Sequence, residues 1–79
     1  MTKTEIFEIV VRSARDVLPT LADQRIAPND SLKALGANSL DRSEIVMMTL
    51  EALELTLPLA ATAGAKSIDE LVNVLHASL

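Results

Sequence analysis

Residues 35–41, Leu35-Gly36-Ala37-Asn38-Ser39-Leu40-Asp41, decide how this chain is organised. Glycine is typical of a loop, whereas the apolar residues from Leu40 onward recur with the spacing of an amphipathic helix. Asn38 and Ser39 are both residue types that cap a helix N-terminus, and either one suits the role. The stretch therefore places an exposed serine at the junction between a loop and a helix.

The position of Ser39 suits a hydroxyl that carries an anionic group. A helix N-terminus offers free backbone N–H groups and the positive end of the helix dipole. Hydrolysis would require a general base beside the serine, and His76, the single histidine, has no orienting carboxylate next to it. No histidine pair or spaced carboxylate loop indicates a metal site. From these residues alone, Ser39 is either a plain helix cap or the carrier of a phosphate ester, and neither catalysis nor metal binding is indicated.

Composition favours one small helical domain. The chain has 79 residues, of which 49% are apolar, yet Phe7 is its only aromatic residue and it has no cysteine. A core built from aliphatic side chains favours helices over sheets, and no disulfide can support it. We expect a single all-α domain over residues 1–79.

The first helix and the connection after it have clear boundary signals. Thr2 and Glu5 have the spacing of a capping box, and Pro19 ends or bends the helix near Leu18. The chain from residue 20 to residue 37 then forms a long connection with one helical turn at 31–35. Four apolar residues are expected to attach this connection to the core: Leu21, Ile26, Leu32 and Leu35.

The second half of the chain predicts two further helices and a short one between them. Helix two runs from Asn38 or Ser39 to Leu53, and an Ala-rich helical segment ends near Gly64. Ser67 and Glu70 predict a second capping box at the start of the last helix. The inward residues of that helix are expected to be Ile68, Leu71, Val72, Val74 and Leu75. Three longer helices and one short helix predict a small four-helix bundle.

The acidic charge is concentrated on helix two. The chain carries a net charge of −4, and residues 38–54 hold four acids against Arg42 alone. This charge and the scarcity of aromatic residues argue against nucleic-acid binding. The acids form either a solvated face or a docking surface for basic partners. With no leader pattern and no apolar run of membrane-spanning length, we expect a soluble cytoplasmic protein.

The layout as a whole resembles the acyl carrier protein family. The resemblance rests on Leu35-Gly36-Ala37 before Ser39, Leu40-Asp41 after it, the long preceding loop, and Leu57-Pro58 after helix two. It implies that Ser39 carries covalent 4′-phosphopantetheine, whose thiol holds acyl groups, and that the chain is not an enzyme. The family usually has aspartate before this serine. Asn38 keeps the capping ability but loses the charge.

The resemblance also implies a docking surface for partner enzymes around Ser39. Leu40 and Asp41 are the neighbours that such enzymes contact, and exposed methionine offers an adaptable apolar contact. Arg42 either pairs with nearby acids or distinguishes this carrier from others. The predicted docking residues are Asn38, Leu40, Asp41, Arg42, Glu44, Met47 and Glu51.

Two stretches narrow the resemblance to the donor carriers of polyketide β-branching cassettes: residues 36–45 and residues 58–68. Such carriers present an acetyl group to an enzyme that resembles hydroxymethylglutaryl-CoA (HMG-CoA) synthase. The implied partners are that enzyme, a phosphopantetheinyl transferase, an acyltransferase and a decarboxylating ketosynthase, with the carrier itself a monomer. The alternatives are a carrier for fatty acid synthesis, peptide-synthetase-type modules or D-alanyl transfer, or a helical interaction protein that is never modified.

Overall fold

A computed structural model describes residues 1–79 and confirms the all-α class. It contains three α-helices and two 3₁₀ turns. We call the helices α1 (Lys3–Val17), α2 (Ser39–Ala52) and α3 (Ile68–Ala77), and the 3₁₀ turns comprise Pro19–Leu21 and Leu59–Ala61. Both α2 and α3 pack against α1 rather than extensively against each other, so α1 is the central helix. None of the helices is long and apolar enough to cross a membrane.

The start of α1 confirms the predicted capping box. Thr2 Oγ1 accepts a hydrogen bond from the Glu5 amide at 3.2 Å, and Glu5 Oε1 accepts one from the Thr2 amide at 2.9 Å. The hydrogen bonds from the Thr2 backbone and side chain stabilise the carboxylate and lower the pKa of Glu5. At the other end α1 stops at Val17, shortly before Pro19, because proline has no amide hydrogen to continue the helix.

The core is aliphatic, as the composition predicted. Its sixteen buried apolar residues come from all three helices and from the long connection, and Phe7 only packs at its edge. Of the loop residues expected to attach the connection, Leu21, Ile26 and Leu32 are buried and Leu35 is partly buried. In α3 the predicted inward residues are buried except Val74, which is only half-buried because it lies at the edge of the apolar stripe.

Hydrogen bonds tie the long connection to two helices. Arg15 of α1 donates through Nε to the Leu21 carbonyl at 3.3 Å and through Nη2 to the Gln24 carbonyl at 3.1 Å. At the start of α3, the Ile68 amide donates to the Asp30 carbonyl at 2.9 Å and the Asp69 amide donates to the Pro28 carbonyl at 2.8 Å. These bonds supply partners for two amides that have none within the helix. The loop that leads to Ser39 is therefore held by both α1 and α3.

The structure defines the form of the short helical segment and corrects one other local prediction. The Ala-rich segment forms only the 3₁₀ turn Leu59–Ala61, followed by further turns to Gly64. Its residues are mostly exposed, so it has no apolar face whose burial would stabilise a longer helix. The second capping box is half-formed: Ser67 Oγ accepts from the Glu70 amide at 3.1 Å, but Glu70 Oε2 accepts from the Lys66 amide at 3.2 Å.

Candidate functional site

The cap of α2 is Asn38, which resolves the choice between Asn38 and Ser39. Asn38 Oδ1 accepts a hydrogen bond from the Asp41 amide at 2.8 Å, and Asp41 Oδ2 accepts one from the Asn38 amide at 3.1 Å. These two bonds form a complete capping box. Ser39 is therefore the first residue of the helix, exposed to solvent, and its hydroxyl has no capping role.

Substitution of Asn38 with alanine should destabilise the fold by about 1 kcal/mol, because the Asp41 amide loses its acceptor. Asn38→Asp should retain most of the stability, since a carboxylate caps equally well and is favoured at a helix N-terminus. The measurement is the free energy of unfolding in urea. Ser39→Ala is the matched control and should cost little. An equal loss for Ser39→Ala and Asn38→Ala would contradict the assignment of the cap.

A tight turn brings the chain into this cap. Gly36 has a φ of +105°, a backbone conformation that side chains other than that of glycine rarely adopt. The Gly36 amide donates to the Lys33 carbonyl at 3.1 Å, and the Ala37 amide donates to the Leu32 carbonyl at 3.0 Å. Ala37 is buried directly after the turn. The turn thus buries one residue and exposes the next two, which places Ser39 at the surface.

Arg42 folds back over the start of α2. Its Nη1 donates to the Ala37 carbonyl at 3.0 Å, and its Nη2 lies 3.5 Å from Ser39 Oγ. The hydrogen bonds of Arg42 are thus made to the loop and to the serine, rather than to the nearby acids. Ser39 Oγ is hydrogen-bonded to Arg42, whereas His76 is an exposed residue in the last turn of α3. The arrangement has no base to activate the hydroxyl for catalysis.

A cavity of about 310 Å³ opens beside Ser39. It lies between the start of α2, the loop at 31–33, the segment from 59 to 67 and Leu71 of α3. Lys33, Arg42 and Lys66 are among its lining residues, and we call these three the basic rim. The sequence motif did not identify these lysines, because Lys33 lies just before residues 35–41 and Lys66 is distant in the sequence, and the fold brings both to the same cavity.

The outer face of α2 carries an exposed stripe made of Leu40, Glu44, Met47 and Glu51. Their spacing of four, three and four residues puts them in one row along the helix. Leu40 is 80% exposed and Met47 58% exposed, so two large apolar side chains of this row face solvent. The other predicted docking residues, Asn38, Asp41 and Arg42, are engaged in the hydrogen bonds that form the turn.

Comparison with known proteins identifies the class of site. Residues 8–75 match the protein family described as phosphopantetheine attachment site. The polyketide biosynthesis acyl-carrier-protein AcpK of Bacillus subtilis (strain 168) is 45% identical over 76 residues, covering 96% of this chain and 93% of that protein. A crystal structure of the curacin biosynthetic pathway HMG synthase in complex with acetyl donor-ACP contains a similar chain. That chain superposes with a TM-score of 0.93 at 42% identity, over 98% of this chain and 99% of that one.

The chain belongs to the phosphopantetheine-attachment family of acyl carrier proteins. It is accordingly a carrier and not an enzyme, and its cofactor is 4′-phosphopantetheine. The local structure fits this cofactor. The hydroxyl of Ser39 is exposed and has no capping role, so it has room for a phosphodiester bond, and a cavity lies beside it.

Proposed function

We propose that this chain is the donor acyl carrier protein of a polyketide β-branching cassette, with acetyl as its cargo and Ser39 as its attachment point. The observation that carries the proposal is the exposed hydroxyl of Ser39, which is available because Asn38 caps the helix. The chain that bears this serine superposes with a TM-score of 0.93 on a chain of the HMG synthase complex. Because 99% of that matched chain is covered by the present 79 residues, it corresponds to the acetyl donor-ACP rather than to the synthase.

Each part of the site has a distinct task in this proposal. When bound, 4′-phosphopantetheine supplies the thiol that carries the acyl group. Ser39 holds that arm at the surface, and Asn38 and Asp41 keep the first turn of α2 rigid beneath it. Gly36 sets the direction in which the chain enters the helix. Residues 1–79 act as one carrier domain, in which the protein positions the cargo and performs no chemistry of its own.

The exposed stripe supports a docking role in this proposal. Two apolar side chains alternate with two carboxylates, which suits a partner surface with basic residues around an apolar contact. Three further residues adjoin this face: Asn38, Asp41 and Arg42. Their polar groups already form hydrogen bonds within the protein, so a partner that contacts them must compete with those bonds. The proposed partners are a phosphopantetheinyl transferase, an acyltransferase, a decarboxylating ketosynthase and an HMG-CoA-synthase-like enzyme, all met in the cytoplasm by a monomeric carrier.

Acetyl transfer to a β-branching synthase tests this assignment. The acetyl-loaded protein should donate to the synthase at least several-fold faster, in kcat/KM, than a fatty-acid carrier loaded with the same group. Such discrimination follows from the different side chains that two carriers present beside the attachment serine. Intact mass before the assay controls for equal loading. Equal rates from both carriers would retain the carrier function and remove the β-branching assignment.

A further inference from the structure

The guanidinium of Arg42 is placed to meet an anion on Ser39. Its Nη1 is fixed by the Ala37 carbonyl at 3.0 Å, while its Nη2 faces Ser39 Oγ at 3.5 Å, a long contact for a hydrogen bond. The side chain is half-buried, so its position is held by packing as well as by hydrogen bonds. One side of the guanidinium is thus anchored and the other is directed at the modifiable hydroxyl.

The cavity beside Ser39 is lined by three basic residues and no acidic one, although the protein as a whole is acidic. The chain has a net charge of −4, yet three of its seven lysines and arginines form the basic rim of the cavity beside Ser39. The nearest acid in the sequence, Asp41, is committed to the Asn38 amide. The acids of the exposed stripe are absent from the cavity lining. The lining of the cavity beside Ser39 is therefore positively charged in an acidic protein.

We propose that Arg42 binds the phosphodiester that joins the prosthetic arm to Ser39, and that it thereby directs the base of the arm along the basic rim into the cavity. The inference rests on the proposed function of Ser39. A phosphodiester oxygen lies one bond beyond phosphorus, which is itself bonded to Oγ, so it comes within reach of Nη2 without movement of the backbone. A hydrogen bond between guanidinium and phosphate is charge-assisted and shorter than the contact with the neutral hydroxyl.

This role differs from recognition of a partner enzyme by Arg42. Binding to the phosphodiester neutralises the guanidinium within the carrier and retains its contact with the Ala37 carbonyl. Arg42 then acts as a positioning residue for the arm, and Lys33 and Lys66 extend the favourable potential along the same cavity. The exposed stripe on the other side of α2 remains available for partners.

Nuclear magnetic resonance of the apo and holo proteins tests this proposal without any partner enzyme. Attachment of the arm should shift the side-chain N–H resonances of Arg42 more than those of any other arginine. In the holo protein, Arg42→Gln should shift the phosphorus resonance and increase the mobility of the first atoms of the arm, and Arg42→Lys should restore part of the effect because it retains the charge. The matched control is Arg25→Gln, since Arg25 is exposed and does not line the cavity.

Each outcome bears on one hypothesis. Intact mass shows whether the arm is attached, and backbone amide spectra show whether each variant is folded. If the arm is attached and the Arg42 resonances are the same in apo and holo protein, the role of Arg42 is overturned while the carrier function stands. If Arg42→Gln and Arg25→Gln leave the phosphorus resonance equally unchanged, the role is likewise overturned. If no arm attaches to Ser39, the proposed function itself fails.

Discussion

Replacement of Ser39 by alanine should abolish attachment of phosphopantetheine completely. In the proposed function the Ser39 hydroxyl supplies the oxygen of the phosphodiester bond, and alanine offers no atom to replace it. Because Asn38 rather than Ser39 caps α2, the variant should remain folded with nearly unchanged stability. The measurement is the intact mass after incubation with a broad-specificity phosphopantetheinyl transferase and coenzyme A. Wild-type protein should gain one arm per chain and the variant none.

Ser43→Ala provides the matched control for this experiment. Ser43 lies one turn further along α2 and lines the same cavity, but it is partly buried and has no place in the family motif. The Ser43→Ala variant should be modified at Ser39 to the same extent as the wild type. If the Ser39→Ala variant is still modified, the attachment site is a residue other than Ser39. A wild-type protein that several transferases leave unmodified would contradict the proposed attachment at Ser39.

Reversal of both acids on the exposed stripe should slow transfer to partner enzymes strongly. In Glu44→Lys combined with Glu51→Lys, each site loses an attraction to a basic partner surface and gains a repulsion. An exposed ion pair contributes about 0.2–1 kcal/mol, so the double variant should lose about 1–4 kcal/mol of interaction. This corresponds to roughly a fivefold to several-hundred-fold loss in kcat/KM. The loss should be largest at low ionic strength, where screening is weakest.

The control must change the net charge by the same amount elsewhere. Glu8→Lys combined with Asp16→Lys does so on α1, where both acids are exposed. This variant should retain most of the transfer rate. Equal effects from the two double variants would show that only overall charge matters. No effect from either at low salt would show that the acids of α2 are a solvated face.

Sequence alone determined the features that depend on neighbouring residues. The box of Thr2 and Glu5 formed as predicted because its two hydrogen bonds join residues three apart on one helical turn. Pro19 ended α1 for the equally local reason that it lacks an amide hydrogen. The aliphatic stripes and the loop residues Leu21, Ile26 and Leu32 also became core, because burial of apolar surface acts on every such residue. The family motif around Ser39 belongs to the same group, since it is a contiguous string.

Only the tertiary structure decided which residue caps α2, how far the Ala-rich segment is helical and which charged residues line the cavity. Asn38 and Ser39 were equivalent as caps until the turn at Gly36 set the register of the chain entering α2. The Ala-rich segment has helix-forming residues, but it remains a 3₁₀ turn because it buries almost no side chain. Lys66 comes to the cavity that Ser39 and Lys33 line only because the segment before α3 packs there. Such placement depends on contacts between residues far apart in the sequence, which no local pattern records.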